Sequence, residues 1–153
     1  MTVDPAEAAA FLNSNRDAWS AAMKIHYIAA SRDEVVATVD VGPEHHQGYG
    51  IVHGGVHCGI LETLASVGAA IDSMASGRSV VGLENHTSFV RAVRSGKLTC
   101  TVRPITRGRR SQLWEGTIVG DDGKVAATGR VRLLCLEPGS ELAGETAGMK
   151  PAS

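Results

Sequence analysis

The sequence predicts an α+β domain in which an antiparallel sheet curls around one long buried helix. Three observations carry this. The stretch Gln47–Ile71, QGYGIVHGGVHCGILETLASVGAAI, opens on glycines and a His-Gly-Gly turn. It then runs on as an apolar segment of helical length broken by a single carboxylate, Glu62. Two strand-like segments precede this stretch and four follow it, each closed by turn chemistry. A helix apolar nearly all round must be wrapped. A sheet on one side and a second copy of the chain on the other is the economical way to do so.

The totals are compatible. A chain of 153 residues, 43% hydrophobic and 20% charged, is of a size and make-up for one globular domain. A formal net charge of -1 argues against nucleic-acid binding through bulk charge. Cys58, Cys100 and Cys135 are widely spaced and show neither metal-site nor redox-motif spacing, which reads as reduced thiols in a cytoplasmic protein. The N-terminus, MTVDPAEAAA, has no basic region followed by an apolar one, so no signal peptide is expected. The run after His53 approaches membrane-spanning length. It carries Glu62 near its middle and lacks flanking basic anchors, so a core helix is expected rather than a membrane span.

In chain order, Asp4-Pro5-Ala6-Glu7 marks a helix start, with Asp4 as cap, Pro5 at the first helical position and Glu7 placed to close a capping box. The helix is expected to reach about Asn13, with a further turn or two through Trp19 and a buried face of Phe11, Leu12 and Trp19. From Met23 the period changes. Residues 24–28 and 34–41 read as strands joined by a polar turn at 31–33, and Gly42-Pro43 ends the pair. After a polar, glycine-rich loop over 44–50 comes the central helix, from about Gly54 to Met74, stopping near Ser76-Gly77. Strands follow at 80–90, 97–105, 112–119 and 125–136, with Asp121-Asp122-Gly123 a strong hairpin signal. Residues after Pro138 are small and polar and are expected to lack order. The resulting division is a helical segment over 1–22, a domain over 23–137 and a tail over 138–153.

The chemistry concentrates in the central stretch. The first amides of a helix have no internal partner and lie at the positive end of its dipole. Gly54 and Gly55 let a ligand approach them closely, which suits an anion or a carbonyl oxygen becoming one. A plain glycine turn leading into a helix reads from the same spacing. Glu62 is the single acidic residue between His53 and Ile71, beside Ile60, Leu61, Leu64 and Val67. A carboxylate in such company is costly unless partnered, so it is either chemical equipment or a carboxylate on a solvated or arginine-paired stripe. Gly54 and Glu62 are eight residues apart, about 12 Å along one helix. One carbonyl cannot easily meet both. Two helices packed antiparallel across a dimer axis would bring Gly54 of one to Glu62 of the other, with Ser66 one turn beyond on the same face.

Competing readings are weaker. Gly48-Tyr49-Gly50 with Gly54 misses the dinucleotide-binding spacing by one residue. His53 and His57, with His45, His46 and Cys58 nearby, do not supply an HExxH arrangement or an evident third ligand, so no metal is expected. The arginines of RPITRGRR, with Arg91 upstream, form either a solvated turn or a phosphate clamp built from Arg91, Arg109, Arg110 and Ser111.

GYGIVHGGVHCGILETLASVGAA, VVGLENHTSFVRAV, TRGRRSQLWEGTIV and DDGKVAATGRVRLLCL together resemble the hotdog-fold acyl-CoA thioesterases. The resemblance is to the phenylacetate-pathway type, close to the 4-hydroxybenzoyl-CoA and 1,4-dihydroxy-2-naphthoyl-CoA enzymes, and covers about Met23 to Leu136. It implies a hotdog fold and hydrolysis of an aromatic acyl-CoA. It makes Glu62 the catalytic carboxylate and Gly54 the oxyanion-binding amide. Gln47 and His53 would orient the thioester and water, and Ser66 would position substrate or water. Gly55, Phe89, Arg91, Arg109, Arg110 and Ser111 would contact substrate or coenzyme A, with histidine in close relatives at the place of Phe89. It implies no cofactor beyond the coenzyme A of the substrate, a homodimer with shared sites, and a dimer of dimers. The alternatives are a hotdog dehydratase or hydratase acting on acyl thioesters, whose His/Asp pair is not well reproduced here, and a non-catalytic acyl-CoA binding protein.

Overall fold

The computed structural model describes residues 3–150. Helices α1 (Pro5–Ser14) and α2 (Ala18–Ala22) lead into strands β1 (His26–Ala30) and β2 (Val35–Asp40). A loop with one 3₁₀ turn then reaches α3 (Gly54–Ser73), which is followed by β3 (Ser79–Phe89), β4 (Lys97–Arg107), β5 (Ser111–Val119) and β6 (Val125–Leu136). The six strands form one antiparallel sheet in the order β1-β2-β4-β5-β6-β3, wrapped around α3. This is the expected α+β hotdog architecture.

The core lies between α3 and the concave face of the sheet. Ile60, Leu61, Leu64, Ala65 and Ala69 face Leu98, Cys100, Val102, Trp114, Ile118, Val131 and Leu133, all at most 2% exposed. Spacings of three and four along α3 place the helical members on one side. Gly68 decides how closely helix and sheet approach, since a Cβ there would lie 2.4 Å from the Trp114 ring. The buried indole donates to Gln112 Oε1 at 2.8 Å, and Gln112 Nε2 donates to Asp72 Oδ2 at 3.0 Å, so the polar edge of the core is satisfied. α3 with its 3₁₀ extension, Gly54–Ser76, is long and apolar enough to cross a membrane, but its inner face packs on the sheet.

At the N-terminus, Asp4 Oδ1 accepts from the amides of Ala6 and Glu7, and Pro5 takes the first helical position. The cap is as expected, without a return bond from Glu7. The expected buried face needs correction. α1 docks through Ala9, with Ala8 and Leu12 beside it, and Asn13 both donates to and accepts from the Tyr27 backbone of edge strand β1 at 2.9 Å. That contact stripe turns Phe11 outward, 64% exposed, and leaves Trp19 39% exposed. β1 starts two residues later than expected because Lys24 takes a positive φ of 53°. The tail, expected to lack order, carries a short ladder between Glu141–Leu142 and Glu145–Thr146 that returns Ala147 to accept from Ser79 Oγ at 3.3 Å.

β3 is the edge strand opposite β1. It is eleven residues long, and Leu83 and Phe89 on it are 54% and 59% exposed. A long edge with exposed apolar side chains invites pairing.

Candidate active site

The loop that delivers the chain to α3 is held by histidines. His45, 1% exposed, accepts from the Gly42 amide through Nδ1 and donates to the Met23 carbonyl through Nε2, both at 2.9 Å. His46 Nε2 bonds to the Arg94 carbonyl at 2.8 Å, and Arg94 in turn donates to the Tyr49 carbonyl at 2.7 Å. His53 is the N-cap of α3: its Nδ1 accepts from the Gly55 amide at 2.8 Å and its carbonyl accepts from Val56 at 2.9 Å. These partners assign the ring proton of His53 to Nε2. The histidine-rich loop is thus a clamp on backbone, and no group of three potential metal ligands assembles among the described residues.

This capping settles which amide is free. Of the first three amides of α3, those of Gly55 and Val56 are engaged, and Gly54 alone has no partner among the described residues. Gly55, expected to touch substrate, therefore spends its N–H on His53, and the open donor at the positive end of α3 is Gly54. Phe89 closes over that end. A Cβ on Gly54 would lie 2.7 Å from the Phe89 ring, so only glycine lets the ring and helix meet in this way. The ring also stands 6.3 Å from buried His57, measured between centroids. Gln47 lies just ahead, half-buried, with its side-chain oxygen accepting from the Tyr49 amide.

Glu62 is two turns further along α3. It is half-buried rather than enclosed, and Ser66 Oγ donates to its Oε1 at 2.7 Å. The carboxylate lies over Gly82 of β3, where a Cβ would stand 3.0 Å from Oε1. Gly54 and Phe89 thus occupy one end of the α3–β3 contact, and Glu62, Ser66 and Gly82 the other. Within one chain the free amide and the carboxylate are not brought together.

The same holds for the arginines. Arg91 follows β3, and its amide bonds the Ala126 carbonyl. Its guanidinium is engaged by Asp122 at 2.7 Å and by the Lys124 carbonyl at 3.2 Å. Arg110 lies at the other end of β6, accepting from the Cys135 amide. Nine residues of strand, about 30 Å, separate the two. Arg91 therefore does not form a clamp with Arg109, Arg110 and Ser111 of its own chain. Arg109 pairs with Glu137 at 3.3 Å on the rim of a cavity of 250 Å³ that also holds Arg32, Asp72, Arg78 and Arg107. These pairings join residues distant in sequence, and no local motif announces them. The His45 bond to Met23 and the ring–glycine contact of Phe89 and Gly54 likewise join distant segments.

The model of the thioesterase superfamily matches residues 49–127, from the loop before α3 to the start of β6. A Mycobacterium tuberculosis protein that carries an esterase name is 47% identical over 107 residues, covering 69% of this chain and 76% of the relative. The chain belongs to the thioesterase superfamily. As a member of this family of thioester hydrolases it is similar to the proofreading thioesterase EntH of Cronobacter sakazakii, 35% identical over 112 residues, covering 73% of this chain and 81% of that one. Among solved structures, the Mycobacterium tuberculosis esterase-named protein superposes with a TM-score of 0.76 at 41% identity, covering 78% of this chain and 96% of that chain. A thioesterase of Haemophilus influenzae gives a TM-score of 0.78 at 28% identity, covering 90% and 93%.

Proposed function

We propose that this superfamily member is a cytoplasmic acyl-CoA thioesterase of the phenylacetate-pathway type that hydrolyses an aromatic acyl-CoA to the free acid and coenzyme A. The observation that carries the reading is the free Gly54 amide under Phe89, two helical turns from the Ser66-bonded Glu62. A preorganised N–H and one carboxylate are sufficient equipment for a thioester, which is already electrophilic.

The two parts meet in a two-fold dimer. Setting Gly54 against the partner's Glu62 centres an antiparallel helix pair on Cys58, midway between them. Setting Phe89, which covers Gly54, against the partner's Gly82, which underlies Glu62, centres an antiparallel β3 pair at Asn85–His86. Asn85 Nδ2 donates to the Cys58 carbonyl at 2.8 Å, so the two centres coincide. The same operation reunites the arginines. Ser111 pairs with Leu134, which pairs with Val81, so Arg109, Arg110 and Ser111 lie on the Gly82 side of their chain. Arg91 lies on the Phe89 side of its own. The dimer places Arg91 of one protomer toward Arg109–Ser111 of the other, where the phosphates of coenzyme A would run. A pair of such dimers would complete a homotetramer.

In this site the Gly54 N–H receives the thioester oxygen as it gains charge. Gln47 and His53 Nε2–H, both from the loop that enters α3, are assigned to orient the thioester and water. Glu62 of the partner either attacks the carbonyl carbon, forming a mixed anhydride that water then cleaves, or takes a proton from the attacking water. Coenzyme A leaves as the thiolate in both routes. Ser66 holds the carboxylate oriented.

Thiol release from a panel of aryl- and alkyl-CoA thioesters tests the reading. Turnover by the wild type that falls about 10²–10⁴-fold in Glu62→Ala, with substrate binding retained, supports it. Binding without turnover on every thioester, or hydration of an enoyl-CoA instead, contradicts it. Solvent-oxygen labelling in a single turnover separates the two routes, because label in Glu62 requires attack by the carboxylate.

A further inference from the structure

α1 and α2 lie outside the region that matches the family, residues 49–127. Trp19 on α2 reaches back to α3. A Cβ built on Gly59 would stand 2.3 Å from Cζ2 and 2.4 Å from Cη2 of Trp19, so the indole rests directly on the α3 backbone. Gly55, Gly59, Glu62 and Ser66 recur at intervals of four, three and four, which makes them one stripe along the helix. None of the four is buried, whereas Ile60, Leu61 and Leu64, which face the sheet, are. The stripe therefore lies off the face that α3 buries in the core; at Glu62 it reaches Gly82 of β3, and at Gly59 it carries the indole. The indole fills a notch in that stripe one turn before Glu62, about 5 Å along the axis.

Trp114, the other tryptophan, is fully buried, while Trp19 is 39% exposed. An indole with one part pressed on glycine and the rest open is held at a defined place one helical turn before Glu62. It offers a flat apolar wall to any group resting against Glu62.

We propose that Trp19 forms one wall of the acyl-binding pocket and sets the preference for flat, bulky acyl groups. This inference rests on the thioesterase reading above and adds a selectivity residue from the N-terminal segment. Gly59 belongs to the same device, because its missing side chain is what admits the indole.

The test is steady-state hydrolysis of acetyl-, hexanoyl-, benzoyl- and phenylacetyl-CoA by the full chain and by Trp19→Ala, Trp19→Phe and Gly59→Ala. Gly59→Ala keeps the tryptophan and improves helix propensity, but its methyl pushes the ring off the helix. The ratio of kcat/KM for benzoyl-CoA to that for acetyl-CoA is expected to fall about 10-fold in both Trp19→Ala and Gly59→Ala and to be largely kept in Trp19→Phe. Melting temperatures of all variants are measured in parallel. Losses that are equal across the four substrates, with a lowered melting temperature, mean that the indole only supports the fold and overturn the proposal. Normal wild-type turnover with unchanged selectivity in the variants overturns this inference alone. Absence of wild-type turnover on all four thioesters overturns it together with the thioesterase reading.

Discussion

Asn85 Nδ2 donates to the carbonyl of Cys58 at 2.8 Å, joining the middle of the exposed edge strand β3 to the middle of the Gly54–Glu62 interval on α3. In the proposed dimer both residues lie at the two-fold axis. Packed helices approach to about 8–10 Å, so the two Cys58 thiols fall within reach of a short bis-maleimide. Cys100 and Cys135 are buried and do not compete. The expected result is a covalent dimer on a denaturing gel, lost in Cys58→Ser and recovered when His86→Cys is added to that variant. A chain that labels at Cys58 yet remains monomeric argues against this axis.

Ser66 Oγ holds Glu62 Oε1 at 2.7 Å. Removing it in Ser66→Ala leaves the carboxylate in place but free to rotate. A fall in kcat of about 3- to 10-fold, with KM little changed, is the expected outcome. An unchanged kcat would show that the orientation of Glu62 does not depend on this bond.

The close approach of α3 to the sheet rests on Gly68 under Trp114. Gly68→Ala introduces a methyl against a ring that has nowhere to go, since Trp114 is fully buried. Destabilisation of about 1–3 kcal/mol in urea unfolding is expected despite the better helix propensity of alanine. A neutral or stabilising effect would mean that the helix can lift from the sheet at no cost.

His57 is 3% exposed, and burial pushes its imidazole below the ordinary value of 6.5. Its Nδ1 is also buried without a hydrogen-bond partner among the described residues. The unfolded chain takes up this proton near pH 6.5, while the folded chain resists until lower pH. Stability from this group is therefore complete above pH 6.5 and is lost as pH falls from there through the folded-state value. His57→Gln should flatten this part of the stability profile between neutral and mildly acid pH. A profile identical to the wild type would assign the acid lability to other groups.

The fold was legible because its signals are local. The Asp4 cap, the Gly77 stop with its φ of 65°, the Asp121–Gly123 hairpin and the apolar period of α3 each act within a few residues. The pairing of free amide and carboxylate was legible through helical rise alone. What local pattern cannot encode are contacts between distant segments. Phe11 looked buried because it is aromatic, but the docking stripe of α1 is set by Asn13 on the Tyr27 backbone. Gly55 looked like a ligand amide until His53 claimed it. Arg91 looked like part of a clamp with Arg109 and Arg110, but within one chain sheet order puts them at opposite ends of β6.

The central claim is that each active site takes Gly54 from one protomer and Glu62 from the other. Gly54→Val, which drives a side chain into Phe89 and blocks the amide, and Glu62→Ala should each be inactive alone. Unfolding the two variants together and refolding them as a mixture gives one half heterodimers at random assortment, each with one intact site of two. The account predicts recovery of about one quarter of wild-type kcat per chain. A mixture as inactive as its parents, with heterodimers demonstrated by mass, would contradict it.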